Sequence, residues 1–460
     1  MNIHTMPQDQ KVEYMLTAPI PGLICQMAVP TIISMLVTSF YNMADTLFVG
    51  QLDTQSTAAV GISFSVMAIF QAFGFFFGHG SGNYISRAMG AQQFESARKM
   101  AATGFVTCLI AGVAIGVLGV IFISPLSVLL GSTPTILPYT ISYLRLIFLG
   151  APFIMGSFVL NNQMRFQGSA SSAMVGIVSG AVLNIVLDPI LIFVFDMGVA
   201  GAAAATSISQ AVSFFILLWM NRTQAVIQVD LKMFTPSRHY FSNIFRGGVP
   251  SLCRQGIGSI ATIALNTAAG NYGGAAADAA IAAMGVVTRI STFANSALIG
   301  FGQGFQPVCG TNYGAGKYTR VREAFNFCLR VGVVLLIIIS IAGFVGAEPL
   351  ISLFRKDPQV IEIGVLALRS QCLVFVLNVY TVLSNMMLQT IGMAARASIT
   401  AAARQGIFFI PLIFILPLFM GLTGVQIAQA VSDVCTFILT VPLAQGVLKK
   451  FTVDSENQMG

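Results

Sequence analysis

The chain has 460 residues, of which 56% are hydrophobic and only 8% charged, and it carries a formal net charge of +7. A soluble domain needs about 25% charged residues because its surface faces water, so this composition excludes a water-soluble fold and requires lipid as the main solvent. The positive balance does not mark a nucleic-acid partner, because the basic residues lie in connections between apolar runs.

The opening stretch MNIHTMPQDQKVEYML is polar and amphipathic and is read as having no cleavable signal. With about 20 apolar residues as the length of a crossing helix, the sequence predicts an all-α integral membrane protein of about twelve spans. These begin near Leu23, Ser56, Met100, Pro138, Ser169, Val199, Gly247, Ala279, Ala324, Ile363, Ala397 and Gly424. Lys and Arg gather in alternate connections, at Arg87, Arg98 and Lys99, at Arg165, at Arg222 to Arg246, at Lys317 to Arg322, and at Lys449 and Lys450. The opposite connections hold Asp53, Asp196 and Asp278, with one basic exception at Arg355 and Lys356. Positive charge stays on the cytoplasmic side, so the expectation is a multi-pass protein of the inner or plasma membrane with both termini in the cytoplasm. The cysteines, Cys25 to Cys435, form an odd set of 7 inside apolar segments, and inert buried thiols are expected rather than disulfides or a metal site.

The sequence repeats itself. GISFSVMAIFQAFGFFFGHGSGNYISRAMGA from Gly61 aligns with GVVTRISTFANSALIGFGQGFQPVCGTNYGA from Gly285 at a shift of 224. The same shift carries Pro134 to Pro358, Asn161 to Asn385 and Gly168 to Gly392, and a shift of 220 carries Val29-Pro30 to Val249-Pro250. Six spans in each half is an even number, so both halves insert with the same orientation, as in transporters built from parallel repeats. The predicted organisation is a first lobe at residues 1–220, a cytoplasmic linker at 221–243 and a second lobe at 244–460. The two lobes are six-helix and pseudo-symmetric.

An ionised Asp at mid-bilayer costs about 2.5–3.5 kcal/mol and is a functional candidate by default. The first half holds Asp45 in span one and Asp188 in span five, each about 8–10 Å below the outer boundary at about 1.5 Å per residue. Tyr143 and Thr206 come out at similar depth, and Asn184 shares the Asp188 helix face. Two carboxylates in low dielectric resist joint ionisation and suit a proton, while the same oxygens with Asn and Thr suit Na⁺. H⁺ and Na⁺ both stay open. In the second half the shifts place Leu265 opposite Asp45 and Leu412 opposite Asp188, so both acids are gone. Asp433 in span twelve is then expected to form an architectural ion pair with Arg289 in span eight, which lies at similar depth.

PTIISMLVTSFYNMADTLFVGQL, ISRAMGAQQFESARKMA and NIVLDPILIFVFDMGVAGAAAATSISQ, in this order, resemble the MATE (multidrug and toxic compound extrusion) family, which belongs to the MOP-flippase-like fold group. Within the family the chain is similar to the MepA-like bacterial group. The resemblance implies a cation site at Asp45, Tyr143, Asn184, Asp188 and Thr206, a bending first helix at Pro30, and cargo-cavity residues at Thr38 and Asn161. It implies cation-coupled efflux of amphipathic, often cationic, drugs by alternating access. No enzymatic activity, no cofactor beyond the coupling ion, no nucleic-acid partner and a monomer in the bilayer are expected. The alternative within the same superfamily is a flippase for lipid-linked precursors, which would need a strongly basic cavity. His79 is expected to be satisfied or solvated, and Gly78, Gly80 and Gly82 to serve helix packing, since no Lys-Ser/Thr follows them.

Overall fold

A computed structural model describes the backbone of residues 6 and 8–459, and the side chains of these except residues 8, 9, 46 and 452–459. No strand occurs among the described residues. A short helix α1 (Gln8–Thr17) leads into α2 (Ile20–Val49), α3 (Thr54–Gly90), α4 (Phe94–Ile121), the short α5 (Ile123–Leu129), α6 (Leu137–Phe166), α7 (Ala170–Pro189) and α8 (Gly198–Gln224). The second half holds α9 (Arg238–Tyr272), α10 (Ala277–Gly314), α11 (Tyr318–Val345), the short α12 (Ala347–Phe354), α13 (Pro358–Val374), α14 (Leu377–Thr390), α15 (Ala394–Ala402), α16 (Ile410–Met420) and α17 (Leu422–Met459).

Among the described residues ten helices are long and apolar enough to cross a membrane, or eleven when α13 and α14, bent by 60°, count as one span. The remaining expected span corresponds to α9. Its 35 residues are ample in length, but Arg238, His239, Arg246 and Arg254 make it too polar by composition. α9 packs against α3 and α15, so its polar groups meet protein rather than acyl chains, which is how such groups persist in a bilayer. Two spans contain π-helical stretches, Ile190–Val194 directly after Pro189 and Ala403–Phe409 between α15 and α16. Proline lacks the amide hydrogen that the regular ladder requires, and the wider turn at 190–194 follows it.

The halves meet at the end that carries most of the basic connections. Small residues allow backbones to touch there, since van der Waals packing drives helix association in lipid. Gly80 on α3 lies against Gly247 on α9, and Thr31 on α2 donates to the Gly300 carbonyl on α10 at 2.7 Å. The contact between α3 and α10 is reciprocal: a Cβ on Gly90 would strike the Thr311 carbonyl, and one on Gly314 would strike the Arg87 carbonyl. Gly90→Ala or Gly314→Ala is therefore expected to cost about 1–3 kcal/mol as overpacking does. It should also push this end apart, read as loss of cross-linking between cysteines introduced on α3 and α10. Full retention of the cross-link would contradict the packing role.

A buried polar chain crosses the same end. Arg165 is 1% exposed and donates through Nη2 to Asn162 Oδ1 at 2.6 Å and to His79 Nε2 at 3.1 Å. His79 Nδ1 lies 2.7 Å from Ser251 Oγ, which also accepts from Gln389 Nε2 at 2.8 Å. His79 is thus fully satisfied, while Arg165 is an interior cation and not the loop charge that its place between two apolar runs predicts. α1 ties the two halves together below this chain. Lys11 Nζ donates to Ser169 Oγ at 3.1 Å and to the Gln224 carbonyl at 3.0 Å in the first half. In the second half, Asn312 donates to the Met15 carbonyl at 3.1 Å and Arg320 to the Ala18 carbonyl at 2.6 Å. The connection between α8 and α9 spans 225–237, narrower than the expected linker, and is pinned to the first half where Ile227 N donates to Gln167 Oε1 at 2.6 Å.

Internal symmetry extends to single hydrogen bonds. Asn161 Nδ2 donates to the Ala173 carbonyl at 2.9 Å, and its repeat mate Asn385 Nδ2 donates to the Ala397 carbonyl at 2.7 Å.

Candidate functional site

Toward the end bearing Asp53, Asp196 and Asp278 the halves diverge. α2 and α10 still touch where Ser39 Oγ lies 2.9 Å from Ser296 Oγ and Phe40 meets Phe293 edge-on at 5.4 Å between centroids. A cleft of about 520 Å³ opens beyond, with Met43, Leu47, Phe64, Phe293 and Leu353 as its apolar wall and Asn42 and Arg289 as polar points. Aromatic and flexible apolar walls of this kind accept varied organic cations.

A chamber of about 200 Å³ leads off this cleft into the first half, past Asn42 and Phe64, which line both. Asp45 on α2, Tyr143 on α6 and Thr206 on α8 line it. Asp188 and Asn184 on α7 stand directly behind. Asn184 Nδ2 reaches both Asp188 Oδ1 and Thr206 Oγ1 at 3.4 Å. Tyr143 stands in the chamber lining with Thr206 and Asp45. All five residues are buried. The structure therefore brings together the five residues that the depth argument placed in one layer, from four different helices.

The polar count at this layer is unbalanced toward acceptors. Asp45 Oδ1, Asp188 Oδ2 and Asn184 Oδ1 are buried without a hydrogen-bond donor. Buried acceptors normally find donors, and their concentration at one place calls for a positive species. A proton on one carboxylate or a hard cation shared among the oxygens would each meet the need. Asp45, Asp188, Asn184 and Thr206 supply the oxygen donors that Na⁺ takes, so the residue set fits the ion as well as it fits a proton. Tyr41, one turn before Asp45, was not singled out by the sequence. It lines the chamber beside Asp45, and its i, i+4 spacing to Asp45 is the signal the sequence carries.

Other expected site residues take different places. Pro30 lies inside a continuous α2. Thr38 Oγ1 donates to its own helix at the Ser34 carbonyl, 2.8 Å away, and Asn161 closes α6 onto α7, and neither lines the cleft or the chamber. The expected pair of Asp433 with Arg289 does not form. Asp433 pairs with Arg404 at 2.8 Å. The reason is helix neighbourhood: α17 packs against α13, α14 and the stretch Ala403–Phe409, and that stretch carries Arg404, whereas Arg289 is exposed on the cleft wall.

A second, smaller chamber of about 80 Å³ enters the second half from the same cleft, past Thr288 and Thr292. It is the repeat counterpart of the first. Thr288, Ser291, Thr292 and Asn295 line it at the positions where Phe64, Met67, Ala68 and Gln71 line the Asp45 chamber, each shifted by 224.

The MatE family model matches residues 30–190 and 250–415, one segment in each half. The chain belongs to the MatE family. It is 28% identical over 450 residues to the multidrug export protein MepA of Staphylococcus aureus strain MRSA252, covering 97% of this chain and 98% of that one. A crystal structure of MATE in complex with MaL6 superposes with a TM-score of 0.90 at 27% identity, covering 96% of this chain and 99% of the other. An outward-facing multidrug resistance MATE family transporter of the MOP superfamily also gives a TM-score of 0.90, at 26% identity and 96% and 98% coverage. The MatE chain described here is accordingly an all-helical, multi-pass membrane transporter, and not an enzyme.

Proposed function

We propose that this MatE protein exports amphipathic, often cationic, small molecules in exchange for H⁺ or Na⁺. The observation that carries the proposal is the buried layer of Asp45, Asp188, Asn184, Thr206 and Tyr143, rich in acceptors without donors and open through its chamber to an apolar cleft. Multidrug export by the similar staphylococcal protein supports the cargo class.

In this reading residues 1–220 and 244–460 move as two lobes around the connection at 221–243. Both termini lie in the cytoplasm, on the side where the basic connections gather, and the cleft faces outward. A cation arriving at Asp45 from the outer side neutralises the layer, which weakens its hold on cationic cargo. By linkage, cargo weakens the ion to the same degree. Pro30 serves as the bend of α2, because its missing amide hydrogen leaves one rung of the ladder open next to the lobe contact at Thr31.

The test is uptake of an ethidium-like cation into inverted membrane vesicles, under a proton gradient or under a Na⁺ gradient. Accumulation driven by one of the two is expected, and accumulation equal with neither imposed would refute ion coupling. The flippase alternative would need a strongly basic cavity, whereas the cleft and its two chambers set only Arg289 and Arg404 against Asp45.

A further inference from the structure

The two chambers share a position in the repeat and differ in chemistry. The first half offers carboxylate oxygens without donors. The second half offers the reverse. Arg404 lines the second chamber, held from behind by Asp433 through Nε at 2.8 Å and Nη2 at 3.3 Å. Asp433 is saturated: Oδ1 also accepts from Gln429 Nε2 at 2.8 Å, and Oδ2 from Asn378 Nδ2 at 2.9 Å. Its side chain is 2% exposed while that of Arg404 is 22% exposed, so the cation meets the chamber and the anion does not.

This arrangement fixes the guanidinium plane and leaves Nη1 for a ligand. Gln371 and Gln405 stand beside it. Ser291 donates to Gln371 Oε1 at 2.5 Å, which turns the amide nitrogen of Gln371 into the half that a ligand can meet. At the doorway, between Thr288 and Thr292, Arg289 is exposed on the cleft wall with no ion-pair partner among the described residues. The chamber's 80 Å³ is several times the roughly 10–15 Å³ that one water needs. It suits one planar group, not a whole amphiphile.

We propose that this second-half chamber is a subsite for the acidic group of zwitterionic cargo. A carboxylate there takes charge-assisted hydrogen bonds from Arg404 Nη1 and the amides of Gln371 and Gln405, while the ammonium end of the same molecule lies across the cleft toward Asp45. Arg289 favours the entering anion at the doorway. The assignment rests on the efflux reading only in calling the ligand cargo.

The experiment is equilibrium binding to the full-length protein in nanodiscs, with no ion gradient. The probes are a fluorescent amphiphile bearing an ammonium and a carboxylate, and its methyl ester. Arg404 and Asp433 are replaced together, R404Q with D433N, so that no lone charge is left inside. The ratio of zwitterion affinity to ester affinity is expected to fall about tenfold in that double variant. Arg289→Gln, at an exposed position, is expected to lower the ratio about threefold and serves if the double variant does not fold. A ratio equal to wild type in a folded variant overturns the subsite. Because no gradient is applied, failure of ion coupling leaves this ratio untouched and is seen only in the vesicle assay.

Discussion

Asp45→Asn and Asp188→Asn are each expected to abolish gradient-driven accumulation while leaving the protein inserted and folded. The physical basis is the modest set of contacts that either carboxylate makes. Asp188 accepts one long hydrogen bond, at 3.4 Å from Asn184, and Asp45 Oδ1 has no donor, so an amide of equal size removes charge without breaking a tight network. The energy at stake can be bounded. One coupling charge moving through about 100 mV releases about 2.3 kcal/mol, and at about 1.4 kcal/mol per tenfold this sustains about 40-fold accumulation of a cargo with no net charge. Each variant should fall to the level of vesicles lacking the protein, a loss of at least tenfold, in the proton- or Na⁺-driven assay. Accumulation undiminished in both variants would remove the coupling assignment.

The largest stability effect is expected at the other acid. Asp433→Asn leaves the Arg404 guanidinium with no counter-charge among groups arranged to hold an ion pair. Breaking a fully buried pair from one side costs about 3–5 kcal/mol, and the cost here lies below that range because Arg404 is 22% exposed to the chamber. Thermal unfolding of the detergent-solubilised protein should show a large fall in midpoint for D433N alone. The double replacement with R404Q should recover most of it, because two neutral amides can hydrogen-bond each other, and of Asn378 and Gln429, which both donate to Asp433, one keeps donating to the new amide oxygen while the other turns its own oxygen to the new amide nitrogen. A single variant as stable as wild type would show that the pair holds nothing together.

The contrast between Asp433 and the pair Asp45 and Asp188 shows what the sequence revealed. Asp45, Tyr143, Asn184, Asp188 and Thr206 were legible because a membrane imposes a ruler: helix rise converts position into depth, and acids in apolar runs need neighbours. Depth says nothing about which helices adjoin. Arg289 and Asp433 lie at similar depth, yet α17 has Arg404 beside it, brought there by the π-helical stretch Ala403–Phe409, whose altered winding no propensity rule would have located. Arg165 failed for a related reason. It ends α6 and reads as a loop charge, but it is buried and bonded to His79 and Asn162 within its own half. α9 shows the limit of hydropathy itself, since residues that face protein inside a bundle need not be apolar.

α1 and the residue that follows it touch both sides of the molecule, with Lys11 held by Ser169 and Gln224 and the Met15 and Ala18 carbonyls held by Asn312 and Arg320. Separating the halves at this end requires one set of these bonds to break, so in the proposed alternating-access cycle the amino-terminal segment would act as a brake on the return stroke. A bulky fusion attached there would change how fast the pump cycles even though it sits far from ion and cargo alike, and reporters are better placed in the exposed turn around Gly131.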